Sequence, residues 1–348
     1  MLRDRIEAKW IEAFAHTFDL CAVKPGDDVL VLSETQSRQI NVHLAELALL
    51  QMGAKPFHVV IPTRPQTAPA AVRSTGSSDA LGEGGPVVEL MTKVPFVADL
   101  TVEGAIHTEH TPRILGSGTR MLYISNEHPE ALERLRADPD MKRRIMAGRA
   151  LMDGAEQMHV TSRAGTDLTV DMREAMVGGN VGWVDEPSKL ASWPGGICSC
   201  FPRAKAVNGT LVLDRGDINL TFKQYLREPI TLIIEDDFAT EVRGEGVDAD
   251  LMRSYFAVWN DREAYGASHV GWGMNHGARW DSLAMYDKGD INGTELRAFA
   301  GNFLYSTGAN PRAGRYTLGH YDIPVRGCTI RLDGETVVDE GRLVDALN

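Results

Sequence analysis

Cysteine is scarce in this chain: Cys21, Cys198, Cys200 and Cys328 are the four among 348 residues. That is too few to staple a chain of this length, which argues against a disulfide-built secreted scaffold. The close pair Cys198-Ser199-Cys200 lacks the C-x-x-C spacing and has no second pair, so it reads as two buried thiols rather than a zinc or redox site. Positive charge is also in short supply, with 36 Lys and Arg against 48 Asp and Glu, a formal charge of -12. This balance argues against nucleic acid or an anionic membrane as a partner. No apolar run approaches transmembrane length, and Met1-Leu2-Arg3-Asp4-Arg5-Ile6-Glu7 carries acids where a signal peptide has its apolar core, so the expected location is the cytoplasm. A dinucleotide fingerprint is missing as well: Ser33-Glu34-Thr35-Gln36-Ser37 stands where G-x-G-x-x-G would follow the first strand.

What remains is an ordinary globular composition, 43% hydrophobic and 24% charged, long enough for two domains with their own cores. Ile6, Trp10, Ala13, Phe14 and Phe18 recur at helical spacing over residues 5–23. A strand at Asp28–Leu32, a helix over 38–52 ended by Gly53 and a strand at Phe57–Ile61 then form a βαβ unit, which predicts a parallel sheet. Residues 62–87, with four prolines among Ser, Gly, Ala and Thr, read as a long surface loop and a candidate oligomer contact; a homo-oligomer is expected. Further strands are expected at 96–101 and 121–125, with His107 on the loop between them, and one helix over 129–153. Beyond it, His159–Ser162, Leu168–Asp171, Thr210–Asp214 and Ile230–Glu235 read as strands, helices follow near 247–258 and 293–304, a turn at Ser306–Gly308, and a closing hairpin over 328–339 turns at Asp333-Gly334. The division expected is residues 1–153, a Rossmann-like α/β domain, and 154–348, a β-rich α+β domain.

Chemistry concentrates in Ser268-His269-Val270-Gly271-Trp272-Gly273 and Gly319-His320-Tyr321-Asp322-Ile323-Pro324. In an extended strand, side chains two apart share a face, so His320 and Asp322 can reach one ion, with His269 as a third donor. Two imidazoles and a carboxylate with open positions form the facial triad of non-haem Fe(II) oxygenases. Spacing alone leaves two readings open, this metal site and a hydrogen-bonded core couple.

The ordered set Gly118-Thr119-Arg120, Asn208-Gly209-Thr210-Leu211-Val212-Leu213-Asp214, the His269 segment, Arg297-Ala298-Phe299, Gly301–Gly308 and His320–Pro324 resembles the 2,5-dihydroxypyridine 5,6-dioxygenases. More distantly, the same framework is similar to the thermophilic-type metallo-aminopeptidases, and it is that resemblance which gives the second domain its expected form. The first resemblance implies His269, His320 and Asp322 as ligands of Fe(II), O2 as co-substrate, and C5–C6 cleavage of a small hydroxylated N-heterocycle to N-formylmaleamate in pyridine and nicotinate catabolism. It implies His107 as general base, and places Arg297 and Ser306 where they would bind the substrate; Trp272 and Trp280 are candidate walls for its ring. Alignment with the peptidases puts Ile197 where their first glutamate ligand stands, and isoleucine cannot bind a metal, which disfavours a two-metal hydrolase. Another hydroxylated heterocycle as substrate, and a metal-dependent aminopeptidase, are the alternatives.

Overall fold

The structure is a computed structural model that describes residues 5–63, 81–106 and 108–348. Its first layer is a parallel sheet in the order Lys55–Ile61, Asp28–Glu34, Phe96–Asp99, Arg120–Ile124 and Leu190–Trp193. The alternation of short apolar runs with the helices Ala8–Leu20 and Gln39–Gln51 requires this arrangement, because parallel neighbours need crossovers that bury both sheet faces. Gly53 ends the second helix at φ +78°, a conformation that glycine adopts without penalty. The fifth strand, Leu190–Trp193, is contributed from far along the chain, after three strands that belong to the antiparallel sheets. Trp193 locks it in place: its ring lies 4.9 Å from Phe14, edge to face, and its Nε1 donates to the Leu135 carbonyl at 2.7 Å.

Two large antiparallel sheets, with a two-stranded one at Ile218–Asn219 and Gln224–Tyr225, make up the β-rich part. Eight strands run Phe238–Arg243, Ile230–Glu235, Val207–Leu213, Asp167–Asp171, Gln157–Ser162, Cys328–Leu332, Glu335–Asp339 and Arg342–Leu343. Five run Tyr321–Val325, Phe303–Thr307, Ala267–Gly273, Ile197–Phe201 and Met176–Asn180. The expected hairpin at 328–339 forms, with Leu332 opposite Glu335 and positive φ at both Asp333 and Gly334, the turn whose twist suits a two-residue connection. The largest hydrophobic core runs from Trp10 to Leu347 and takes in Cys21, Cys198, Cys200 and Cys328 as buried free thiols.

Three expectations need correction. The helix over 129–153 is two helices, Pro129–Arg134 and Pro139–Asp153. Pro139 forces Asp138 into extended backbone, and the Asp138 carboxylate caps the second helix by accepting from Asp140 N at 3.0 Å. Residues 293–304 are not one helix either, since Thr294–Ala298 ends before Gly301 and Phe303 opens a strand. Gly301 sits at φ +85°, where a Cβ would stand 2.0 Å from the Gly341 carbonyl oxygen. Finally, the helix Gly85–Met91 takes the end of the 62–87 stretch, of which residues 64–80 lie outside the described part.

Candidate metal centre

The five-stranded sheet brings the donors to one face. Ser306 pairs with Asp322 and Leu304 with Pro324 across the Phe303–Thr307 and Tyr321–Val325 strands, while Gly271 pairs with Leu304. His269 lies two residues before Gly271, within the register irregularity between Ala267 and Val270, and its ring reaches the face that bears Asp322 and Ser306. His320 precedes the last strand by one residue, and its backbone is held where the Tyr255 hydroxyl donates to the His320 carbonyl at 2.5 Å.

The three donors converge. One ligand atom each from His269, His320 and Asp322 lies within 4.8 Å of the others, and among the described residues no second group of three such side chains does so. Asp322 Oδ1 is 3.2 Å from His320 Nε2 and 3.6 Å from His269 Nε2. The imidazoles are nearly parallel, 5.7 Å apart at 24°. The Ser306 hydroxyl lies among them, donating to Asp322 Oδ1 and standing 3.0 Å from His269 Nε2. Arg297, on the short Thr294–Ala298 helix, donates through Nε to the other oxygen, Oδ2.

Two further details fit this set to a cation. The Ser268 hydroxyl hydrogen is directed to the Ala309 carbonyl at 2.5 Å, so at 3.2 Å its oxygen accepts from His269 Nδ1–H. Nε2 is then the nitrogen on the side of the centre, where it would bind a metal in place of its contact with Ser306. Burial by itself would raise the Asp322 carboxyl, but the Arg297 guanidinium, followed by the His320 and His269 rings, outweighs it and holds the group well below the usual carboxylate range. The carboxylate is therefore ionised and ready to ligate.

The sequence of residues 9–345 matches the family model described as NicX, 2,5-dihydroxypyridine 5,6-dioxygenase. The chain belongs to this family. A 2,5-dihydroxypyridine 5,6-dioxygenase of Pseudomonas putida is 36% identical over 342 residues, covering 97% of this chain and 96% of that protein. The solved structure of a 2,5-dihydroxypyridine dioxygenase from Pseudomonas putida KT2440 superposes with a TM-score of 0.92 at 35% identity, covering 99% of this chain and 100% of that one. AmpT from Thermus thermophilus shares the fold at a TM-score of 0.60 and 14% identity, over 97% and 99% of the two chains. The mixed architecture expected of a dioxygenase with a metallo-aminopeptidase-like frame is thus the one found.

Of the residues singled out in the sequence, His269, His320, Asp322, Arg297 and Ser306 come together; His107 lies outside the described residues. Ser306 is not part of a turn but of a strand, which is why it faces Asp322. The tryptophans do not line the donors as expected. Trp272 is fully buried on the opposite face of its strand, and Trp280 is engaged by Tyr225 at 4.9 Å, Arg326 at 4.1 Å and the Gly216 carbonyl. The aromatic ring beside the centre is Phe201, 5.3 Å from His269. Strand parity along Ile197–Phe201 could have found it, since Ile197, Ser199 and Phe201 share a face while Cys198 and Cys200 point into the core.

Proposed function

We propose that this protein is an Fe(II)-dependent ring-cleaving dioxygenase acting on 2,5-dihydroxypyridine between C5 and C6, with His269, His320 and Asp322 as the ligands. The observation that carries the reading is the convergence of those three donors in a chain that aligns with the dioxygenase family from residue 9 to residue 345. Two nitrogens and one carboxylate oxygen suit Fe(II) and leave adjacent positions for substrate and O2. Bound there, the iron would supply the electronic link between a closed-shell ring and triplet O2 that neither has alone.

The protein's own groups divide the remaining work. Asp322 offers Oδ1 to the metal, because Oδ2 is engaged by Arg297. Ser268 fixes the Nδ1 side of His269 and leaves Nε2 toward the metal, and Tyr255 anchors the His320 backbone. Phe201, whose ring packs 5.3 Å from His269, is the aromatic neighbour against which a pyridine ring would pack. Ser306 yields its place among the donors and turns its hydroxyl to the polar edge of the substrate, as Arg297 balances the negative charge of the ionised ring. His107 takes the ring hydroxyl proton and returns it after cleavage, a task for which imidazole is suited near neutral pH.

Peptide hydrolysis is disfavoured by the same face of the sheet: Ile197 lies on it and offers no ligand for a second metal. The test is anaerobic titration with Fe(II) and measurement of bound iron. One iron per chain is expected for the wild type, and less than a tenth of that for His269→Ala. A stoichiometry of two, or retention of iron by the variant, would overturn the assignment.

A further inference from the structure

The helix that brings Arg297 to Asp322 is only five residues long and begins at a left-handed glycine, Gly293 at φ +104°. So short a helix has little stability of its own. Arg134 grips its second residue, Glu295, at 2.6 and 3.0 Å, and the residues that follow the Arg120–Ile124 strand of the parallel sheet hold its first backbone N–H groups. The buried Glu127 carboxylate accepts from Asn292 N at 2.7 Å through Oε2, and from Gly293 N at 2.8 Å and Thr294 N at 3.0 Å through Oε1. Ser125 Oγ lies 2.9 Å from Thr294 Oγ1, and Asn292 Nδ2 donates to Ser125 Oγ and Tyr123 Oη, each at 2.9 Å. Every one of these contacts spans more than 160 residues of sequence.

We propose that Glu127 is a positioning residue for the reaction, acting through Arg297 on the Asp322 carboxylate. By fixing where the Thr294–Ala298 helix starts, it keeps Arg297 Nε on Oδ2 and so leaves Oδ1 alone to face the two imidazoles. With that hold lost, the Arg134–Glu295 pair and Asn302 keep the helix folded but its start is no longer fixed, so Arg297 loosens from Oδ2, which would then be able to turn toward the metal and close a position that substrate or O2 needs. The glutamate charge is what the site requires. Both oxygens accept from N–H groups, so an amide of the same shape would set its NH2 against a backbone donor. This inference rests on the metal-centre reading above.

The test compares wild type, Glu127→Gln, Arg297→Ala and the double variant, all loaded with Fe(II). Turnover, iron affinity and the electron paramagnetic resonance spectrum of the nitric oxide adduct are measured for each. Losses of about 10- to 100-fold in kcat are expected for Glu127→Gln, the range for groups that orient metal ligands. Its iron should stay bound, and its nitrosyl spectrum should change in the same sense as that of Arg297→Ala. In the Arg297→Ala background, Glu127→Gln should add less than a twofold further loss. Additive losses, or an unchanged nitrosyl spectrum, would reduce Glu127 to a structural role and overturn the proposal. Should Glu127→Gln fail to fold, Asn292→Ala removes two of the same clamping bonds and carries the same comparison. A wild type that binds no iron would instead refute the metal centre itself.

Discussion

Replacing Asp322 by alanine tests how the charges of the site are balanced before any metal arrives. Its side chain is 4% exposed and that of Arg297 13%, so neither has much recourse to water. Asp322→Ala leaves a guanidinium and two imidazoles together without this carboxylate, and breaking such a buried pair costs about 3–5 kcal/mol. Arg297→Leu is the milder loss, about 1–3 kcal/mol, because Asp322 keeps the Ser306 hydroxyl and the two adjacent imidazoles. The double variant should fall short of the sum by at least about 1 kcal/mol, since the two residues are in contact. Urea unfolding of the metal-free proteins, followed by the fluorescence of the six tryptophans, measures all three. Additive costs, or an Arg297 variant weaker than the Asp322 variant, would refute the description of the pair.

Two other perturbations probe the loop that leads to His107 and the residue itself. Burial pushes Asp99 from 3.8 up to about 6, against the lowering effect of the hydrogen bonds it accepts from Ala105 N at 2.6 Å and from Thr101. The folded protein therefore binds that proton more tightly than the unfolded chain, and the stability it contributes, about 3 kcal/mol, is full below pH 3.8 and lost as pH rises through about 6. Asp99→Asn should gain on the wild type by about that amount across the same interval, and a pH-independent difference in denaturation midpoints would contradict the argument. His107→Ala should keep its iron and lose about 10²- to 10⁴-fold in kcat, the span for a general base. Loss of iron with activity would make His107 a ligand.

Much of the centre could be read from the chain because strand parity is a local rule. His320 and Asp322 are two apart in an extended segment, so their common face needs no knowledge of the rest of the molecule. Ser306 was legible as a candidate but not as a strand residue: Gly308, at φ +119°, breaks the pattern two positions later and makes the segment look like a turn. The supposed helix over 293–304 arises because Leu296, Phe299, Ala300 and Phe303 recur at helical spacing, while the close approach of Gly301 to Gly341 that ends it is a contact across 40 residues. Trp272 was mistaken for a wall because its neighbour His269 is functional. One step of the pleat separates solvent-facing chemistry from core. Glu127 gave no signal at all, since a glutamate after a strand acquires meaning only from the backbone N–H groups folded against it.

The most direct test of the whole account is oxygen consumption by Fe(II)-loaded protein given 2,5-dihydroxypyridine, with loss of the ring's ultraviolet absorbance followed in the same cell. One O2 per ring opened, abolished in His320→Ala, is the predicted result. No oxygen uptake by a wild type that holds one iron would contradict it.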